Sequence, residues 1–320
     1  MKRRIACAVL GLCTFAPAWA QGKWPEGTLK LVVPFAAGGG VDQAARLLGR
    51  QLQADLGIPV IVDNRAGGSG TIGGKAVQMA APDGMTLLFS AATHVLAKQV
   101  LANPPYDPQT DFAPVARVGE APLMLVIPAT APQKTLKEVL EAARAQPEKW
   151  TAALPALGAP SHLGTLLLAQ QGQLKLTMAP YRGTAPALAD VAGGHAQLLL
   201  DSIISLQGMA RGGKVKAIMV SSSQRSGVAP DVPTAVESGY PGMVYNSWYG
   251  VWAPKGTPAD RVQLLHKAIN KATAELARSG AYTTLGILPV LESTDQFRQF
   301  VAADVTRSAQ LLKEAGFKPE

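Results

Sequence analysis

Beyond its first twenty residues this 320-residue chain has no cysteine, because Cys7 and Cys13 both fall inside that opening segment. Disulfides, thiolate metal sites and cysteine nucleophiles are therefore excluded from the remainder, which must be stable through its core alone. Charge is sparse too, at 16% of residues, and aromatics reach only 6%. The formal charge of +8 falls to +5 without Lys2, Arg3 and Arg4, and the basic residues are scattered. Binding nucleic acid needs a concentrated basic face, so no nucleic-acid partner is expected. After the opening segment no run of about 18 consecutive apolar residues occurs, so no membrane span is expected. His94, His162, His195 and His266 stand far apart, HExxH is missing, and neither Gly67 to Thr71 nor the Ser161 region satisfies GxSxG. Each histidine therefore reads as structural, with His162 following an N-cap at Ser161. No metal and no cofactor are expected.

What is present begins with an export signal. Lys2, Arg3 and Arg4 form a basic start, Ile5 to Phe15 an apolar stretch, and Ala18-Trp19-Ala20 a cleavage site, which predicts removal of residues 1–20 and a periplasmic product. With 48% hydrophobic residues, the remaining 300 or so can fill two lobes of ordinary domain size. Strand and helix signals alternate, which predicts an α/β protein with a parallel or mostly parallel sheet flanked by helices. Expected strands are Leu29 to Phe35, Pro59 to Asp63, Thr86 to Ser90, Leu123 to Ile127, Thr151 to Leu154, Leu176 to Tyr181, Gln197 to Asp201, Val215 to Ser221 and Tyr245 to Ala253. Thr135 with Glu138 predicts a capped helix ending near Gln146, Thr257-Pro258 opens a long one, and Ser293 or Thr294 starts the last. Proline and glycine cluster at Asn103 to Pro108 and at Pro230 to Gly242, bracketing a middle block that reads as inserted. The expected division is residues 21–122 with 245–320 as one lobe and 123–244 as the other, joined by two hinge strands, with a ligand cleft between.

The segment LVVPFAAGGGVDQAARLL, residues 31–48, reads as a buried strand, a three-glycine turn and a helix opened by Asp42. Glycines without side chains let the backbone approach a ligand, and the unpaired amides of a helix start suit a carboxylate or phosphate. The same pattern also describes a plain strand-to-helix turn. Gly68 to Gly73 matches GxGxxG, yet the following strand, Thr86 to Ser90, continues Ala91-Ala92-Thr93-His94 without the acid that would read a ribose. A nucleotide site is therefore not expected.

Taken in order, LVVPFAAGGGVDQAAR, VDNRAGGSGTIGG, APDGMTLLFS, APSHLG, YRGTAPALADVAGGHAQLLLDS, APDVPTAVESGYPG and SWYGVWAPKGTP closely resemble the tripartite tricarboxylate transporter receptors, the Bug or TctC-like periplasmic binding proteins. The resemblance implies a two-lobed, type II periplasmic-binding-protein fold of the Venus flytrap kind and no enzymatic activity. It implies a monomer that closes on a small organic carboxylate, or an amino-acid-like or aromatic acid, and delivers it to cognate membrane transporter subunits. By the same resemblance the ligand would meet Phe35, Ala36, Ala37, Gly38 and Gly39 in the first turn, and Ser90, Thr93 and His94 after the third strand. Gly158 and Ala159, then Tyr181, Gly183, Thr184 and Ala185, would face them from the middle lobe, and Asp42 would cap its helix. Asp201 would either accept hydrogen bonds from the solute's far end or cap the turn at Ser202. Trp248 and Tyr249 would roof the cleft or pack in the hinge strands, and Asn64-Arg65 would fix a loop, with Arg65 able to reach a carboxylate. The turn Leu154 to Pro160 lacks the hydroxyls usual in the family, which implies a more apolar pocket and a larger or less polar solute. An exported serine hydrolase with a spatially assembled site is the alternative from another class.

Overall fold

Leu29, Leu31, Val32 and Val33 are all buried, so the first expected strand forms with apolar residues on both faces, as in a sheet covered by helices on either side. The computed structural model describes residues 24–320, and the expected leader, its cleavage site and both cysteines lie outside the described residues. The first part of the chain runs β1 (Leu29–Val33), α1 (Gly40–Leu56), β2 (Val60–Asn64), α2 (Thr71–Gln78), β3 (Thr86–Ser90), α3 (Ala92–Val95), α4 (Ala97–Val100) and β4 (Phe112–Pro128). The middle runs α5 (Leu136–Ala145), β5 (Thr151–Leu154), α6 (Pro160–Gly172), β6 (Thr177–Pro180), α7 (Thr184–Ala192), β7 (Leu199–Ser202), α8 (Ile203–Arg211) and β8 (Val215–Val220). The chain closes with β9 (Asn246–Pro254), α9 (Ala259–Arg278), α10 (Ala281–Leu285), β10 (Leu288–Pro289) and α11 (Thr294–Glu314).

Local signals account for several element ends. In α1, Ala44, Ala45, Leu48 and Leu52 share the buried face, and Gly57 at φ 69° stops the helix by donating its amide to the Gln53 carbonyl. Thr135 caps α5 by accepting from the Glu138 amide at 3.2 Å, and a reciprocal Ser293/Gln296 capping box starts α11.

The sheet is mixed. β1 pairs in parallel with β2 and β3, but β9 is antiparallel to both β3 and β4. This corrects the expectation of a mostly parallel sheet: every pairing made by β4 is antiparallel. The expected strand Leu123–Ile127 is only the distal part of β4, whose proximal part carries Pro114 and Pro122, residues that disfavour a central strand in sequence. Up to Pro122, β4 pairs with β9, and from Leu123 onward it pairs with β7 and β8. One strand thus serves two sheets. A third, small sheet holds β5 and β6 in parallel, with Ala152 bridged to Leu198.

Trp248, Trp252 and Phe297 form the aromatic centre of one core cluster, with ring centroids 5.4 to 6.1 Å apart. Full burial of such side chains is worth roughly 1.5–3 kcal/mol each. Trp248 is therefore packing, and its indole N–H donates to Asp304 at 3.1 Å. Helix α11 brings Phe297 to this centre and carries its far end to α6, where Gln170 donates to Glu314 at 3.3 Å.

Candidate functional site

Four helices begin at one cavity. They are α1, α6, α7 and α8, of 17, 13, 9 and 9 residues, preceded by Gly39, Ala159, Gly183 and Ser202. All four of these preceding residues line the cavity wall. In α1 the first amide with a helical acceptor is that of Gln43, bonded to the Gly39 carbonyl at 2.9 Å, so the amides of Gly40, Val41 and Asp42 have no partner within the helix. In α6 Leu163 is the first so bonded, to Ala159 at 3.1 Å; Pro160 has no amide, which leaves those of Ser161 and His162. Ala159 rather than Ser161 therefore precedes this helix.

The first turn is braced from behind by Asp42. Its Oδ2 accepts from the Gly38 amide at 2.9 Å and from Arg46 Nε at 3.0 Å, and its Oδ1 accepts from Asn64 Nδ2 at 2.9 Å. Asn64 also donates to the Phe35 carbonyl at 3.1 Å. Burial alone would raise the Asp42 carboxyl, but the bonds from Arg46, Gly38 and Asn64 outweigh it and hold the group below the ordinary carboxylate range. Asp42 thus fixes the turn's shape and takes the Gly38 amide out of use. Arg65 pairs with Asp63 at 2.9 Å and does not reach the cavity.

Of the residues the sequence singled out, the wall contains Phe35, Gly39, Thr93, Ala159, Gly183, Thr184 and Asp201. Ala36 stands just beyond, close enough that a Cβ on Gly183 would sit 3.3 Å from it. Ala37 and Gly38 are exposed on the outer side of their turn, as is Ala185 on α7. Ser90 is fully buried behind the wall. Tyr181 is also off the wall: its hydroxyl donates to Asp190 at 2.6 Å, and desolvation with the neighbouring Asp190 charge pushes it up to about 12.

His94 corrects the expectation of a cleft-facing group. Its ring lies 4.5 Å from Phe112 and 4.8 Å from Trp252, with Nδ1 3.3 Å from the Tyr106 hydroxyl, in an apolar pocket that pulls its pKa down to about 3. The role that the resemblance implied fails because the α3 turn puts Thr93 on the cavity wall and His94 in the core, which agrees with the structural reading of the histidines.

Gly40, of the three-glycine turn read as a backbone socket, is on the wall, together with Val41, Ala91, Pro155, Pro160, Ser202, Ser205 and Ser247, which sequence reasoning did not name as ligand contacts. Ser202 and Ser205 were legible in principle, since they follow Asp201 at the spacing that puts a strand end and the next helix turn on one side. Tyr249 fills both roles considered for it: it is fully buried, lines the cavity and shares a 2.7 Å hydrogen bond with the Ser202 hydroxyl.

No arginine, lysine or histidine side chain lines this cavity among the described residues. Its positive character comes from helix starts, each equivalent to roughly half an elementary charge. The Thr93 and Ser205 hydroxyls, both on the wall, lack any hydrogen-bond partner. Asp201 Oδ2 accepts from Thr184 Oγ1 at 2.5 Å, and burial lifts the Asp201 pKa to about 6 against the opposing pull of Thr184 and the Ser202 amide. The cavity measures about 40 Å³. With one water needing at least about 10–15 Å³, that is room for about three. A larger solute, as the apolar Leu154 to Pro160 turn implies, needs a wider cavity than this one.

Comparison with known proteins follows the same line. Residues 44–317 match the family described as tripartite tricarboxylate transporter family receptor. The protein BugT of Bordetella pertussis is 37% identical over 297 residues, covering 92% of this chain and 91% of its own. The structure of periplasmic binding protein BugD superposes with a TM-score of 0.87 at 35% identity, over 93% of this chain and 100% of that one. MatC from Rhodopseudomonas palustris, solved with bound malate, gives a TM-score of 0.84 at 34% identity over 90% and 100% of the two chains.

Proposed function

Because the chain belongs to the tripartite tricarboxylate transporter receptor family, whose members are periplasmic solute-binding proteins, we propose that it closes on a small carboxylate-bearing solute. In this reading it hands the solute to a tripartite tricarboxylate-type membrane transporter or reports its presence as a sensor, after losing its leader behind Ala20. The single observation that carries the proposal is the convergence of four helix starts on a cavity free of basic side chains. Aligned amides hold a carboxylate with about 0.3–1 kcal/mol each at exposed helix ends and more when enclosed.

The amides of Gly40 and Val41 would grip the carboxylate from one side and those of Thr184 and Ala185 from the other. Thr93 and Ser205 would supply hydroxyls, and Phe35 would pack on the solute's carbon chain. Asp201, reached from the far side, would bind best when the solute presents a donor or a proton to it. The lobes would be residues 21–122 with 245–320, and 123–244. The exchange of partners in β4 between Pro122 and Leu123 supports this division and a hinge at that point. Closure would then complete the grip, so a solute shifts the population toward the closed form. Malate in MatC is the same class of solute.

No observation favours the serine hydrolase. Among the described residues the rings of His94, His162 and His266 meet a tyrosine, a backbone amide, a backbone carbonyl and an asparagine, and no serine hydroxyl. The test is a thermal-shift panel of carboxylates, amino acids and aromatic acids, joined to native mass spectrometry of freshly purified protein. A carboxylate that raises the melting point and is recovered unchanged supports the receptor; turnover of every hit, or no hit among acids, refutes it.

A further inference from the structure

Resting on the reading of the cavity as a carboxylate socket, we propose that His162 is a positioning residue for that socket and that the last residues of the chain hold it in place. His162 is the third residue of α6 and is 1% exposed. Its ring folds back so that Nδ1 accepts the Gly158 amide at 3.1 Å, which leaves the ring proton on Nε2. Gly158 sits at φ +70° directly before Ala159 and Pro160, two residues of the cavity wall. The ring itself is not on the wall and acts through this turn.

The turn is pressed against the first part of the chain: a Cβ at Gly158 would lie 3.1 Å from Val100 Cγ2 and 3.3 Å from Leu96. A left-handed glycine with no acceptor for its buried amide would have little reason to keep this shape. Burial keeps the His162 ring neutral, with a pKa near 4, so the acceptor is available in any ordinary buffer.

Phe317 closes the other side of the ring, edge to face, with centroids 5.0 Å apart and planes at 65°. Three residues later the Glu320 amide donates to the Val100 carbonyl at 3.1 Å, and the Ala102 amide donates to the Glu320 carbonyl at 2.9 Å. The tail therefore fastens to the end of α4, which presses on Gly158, and to the histidine that holds Gly158. It ties α4 from outside to the turn that carries the wall residues Ala159 and Pro160.

The experiment uses the whole mature protein with acetate as the probe, since acetate carries the carboxylate and fits the small cavity. Amide exchange and chemical shifts report on Gly158, and titration shifts at Gly40, Val41 and Thr184 report on acetate. The variants are His162→Asn, whose Oδ1 replaces Nδ1, His162→Gln, whose oxygen falls at the Nε2 side, His162→Leu, and a chain ending at Gly316. His162→Asn is expected to keep the Gly158 amide protected and acetate affinity within about twofold. His162→Gln, His162→Leu and the truncation are expected to expose that amide and weaken acetate about tenfold while remaining folded. Should His162→Leu fail to fold, the contrast between asparagine and glutamine decides. Wild-type protection of Gly158 and wild-type affinity in the glutamine variant would overturn the inference. If acetate moves no socket amide even in the wild type, the socket reading falls, and the Gly158 exchange data of the solute-free proteins separately show whether His162 holds the turn.

Discussion

Substituting valine for Gly40 should prop the jaws open without damaging either one. Gly40 is the first residue of α1, and a Cβ there would sit 2.9 Å from Ser205 Oγ, on the opposing α8, and 3.3 Å from Ser202 Cβ, just before that helix. Alanine would be eased by rotation of the Ser205 hydroxyl. Valine adds two methyl groups to a Cβ that already lies 3.3 Å from both Ser202 Cβ and Oγ, so rotating one hydroxyl does not make room for it. Overpacking of this kind costs about 1–3 kcal/mol, which is roughly a 5- to 150-fold loss of affinity if it falls on the closed form alone. The buried face of α1, with Ala44, Leu48 and Leu52, is untouched, so the melting point should hold. Calorimetric titration with acetate, malate and adipate reads the affinity, and small-angle scattering reads a larger radius of gyration. Gly208→Ala in α8, where a Cβ meets nothing within 4 Å, is the control, expected to bind normally and to gain up to about 1 kcal/mol of stability. A folded Gly40→Val protein with wild-type affinity and dimensions would refute the closure argument.

Acid should unfold the protein early. His94 and His162, held near 3 and 4 by burial, bind protons in the unfolded chain from about pH 6.5 downward while the folded chain does not. Their stabilisation is present above pH 6.5 and is lost as pH falls toward those values, about 4 kcal/mol together by pH 5. Asp201, raised to about 6, works in the opposite direction and returns about 1–2 kcal/mol over the same interval. Scanning calorimetry should show a melting point several degrees lower at pH 5 than at pH 7, and an unchanged one would mean the histidines are hydrated or paired. Gly73→Ala would place a Cβ 2.8 Å from the Pro34 backbone and should cost about 1–3 kcal/mol, visible as a lower denaturant midpoint at constant slope. Thr184→Val removes the donor to Asp201 and should lower stability by about 1–3 kcal/mol while raising the pH at which Asp201 titrates, checked by carboxyl-carbon NMR.

Much of this molecule could be read before its shape was known, because several signals were local. The β1–turn–α1 unit, the capped α5 and α11, and the stripe of Val262, Leu265, Ile269 and Leu276 buried on α9 each follow from neighbours within a few positions. The course of β4 did not, because its prolines mimic a break and only pairing with the distant β9 makes Phe112 to Pro122 a strand. The site divided the same way. Gly39, Gly183 and Thr184 were visible as helix openings, whereas the turning of His94 into an aromatic pocket depends on Phe112 and Trp252, far away in the chain. Ser205 shares a side with Asp201 by spacing, but that it faces Gly40 of α1 follows only once the two helices meet.

A grip made of helix openings has an evolutionary consequence. An arginine that clasps an acid can vanish with one codon change, but the amide of residue 41 survives every substitution except proline. In the proposed socket the hold on an acidic end would be insulated from drift, and hydroxyl-bearing or apolar neighbours such as Thr93, Ser205 and Ala159 could vary around it. One scaffold can then be retuned toward new metabolites by altering its rim, with the anchor never at stake.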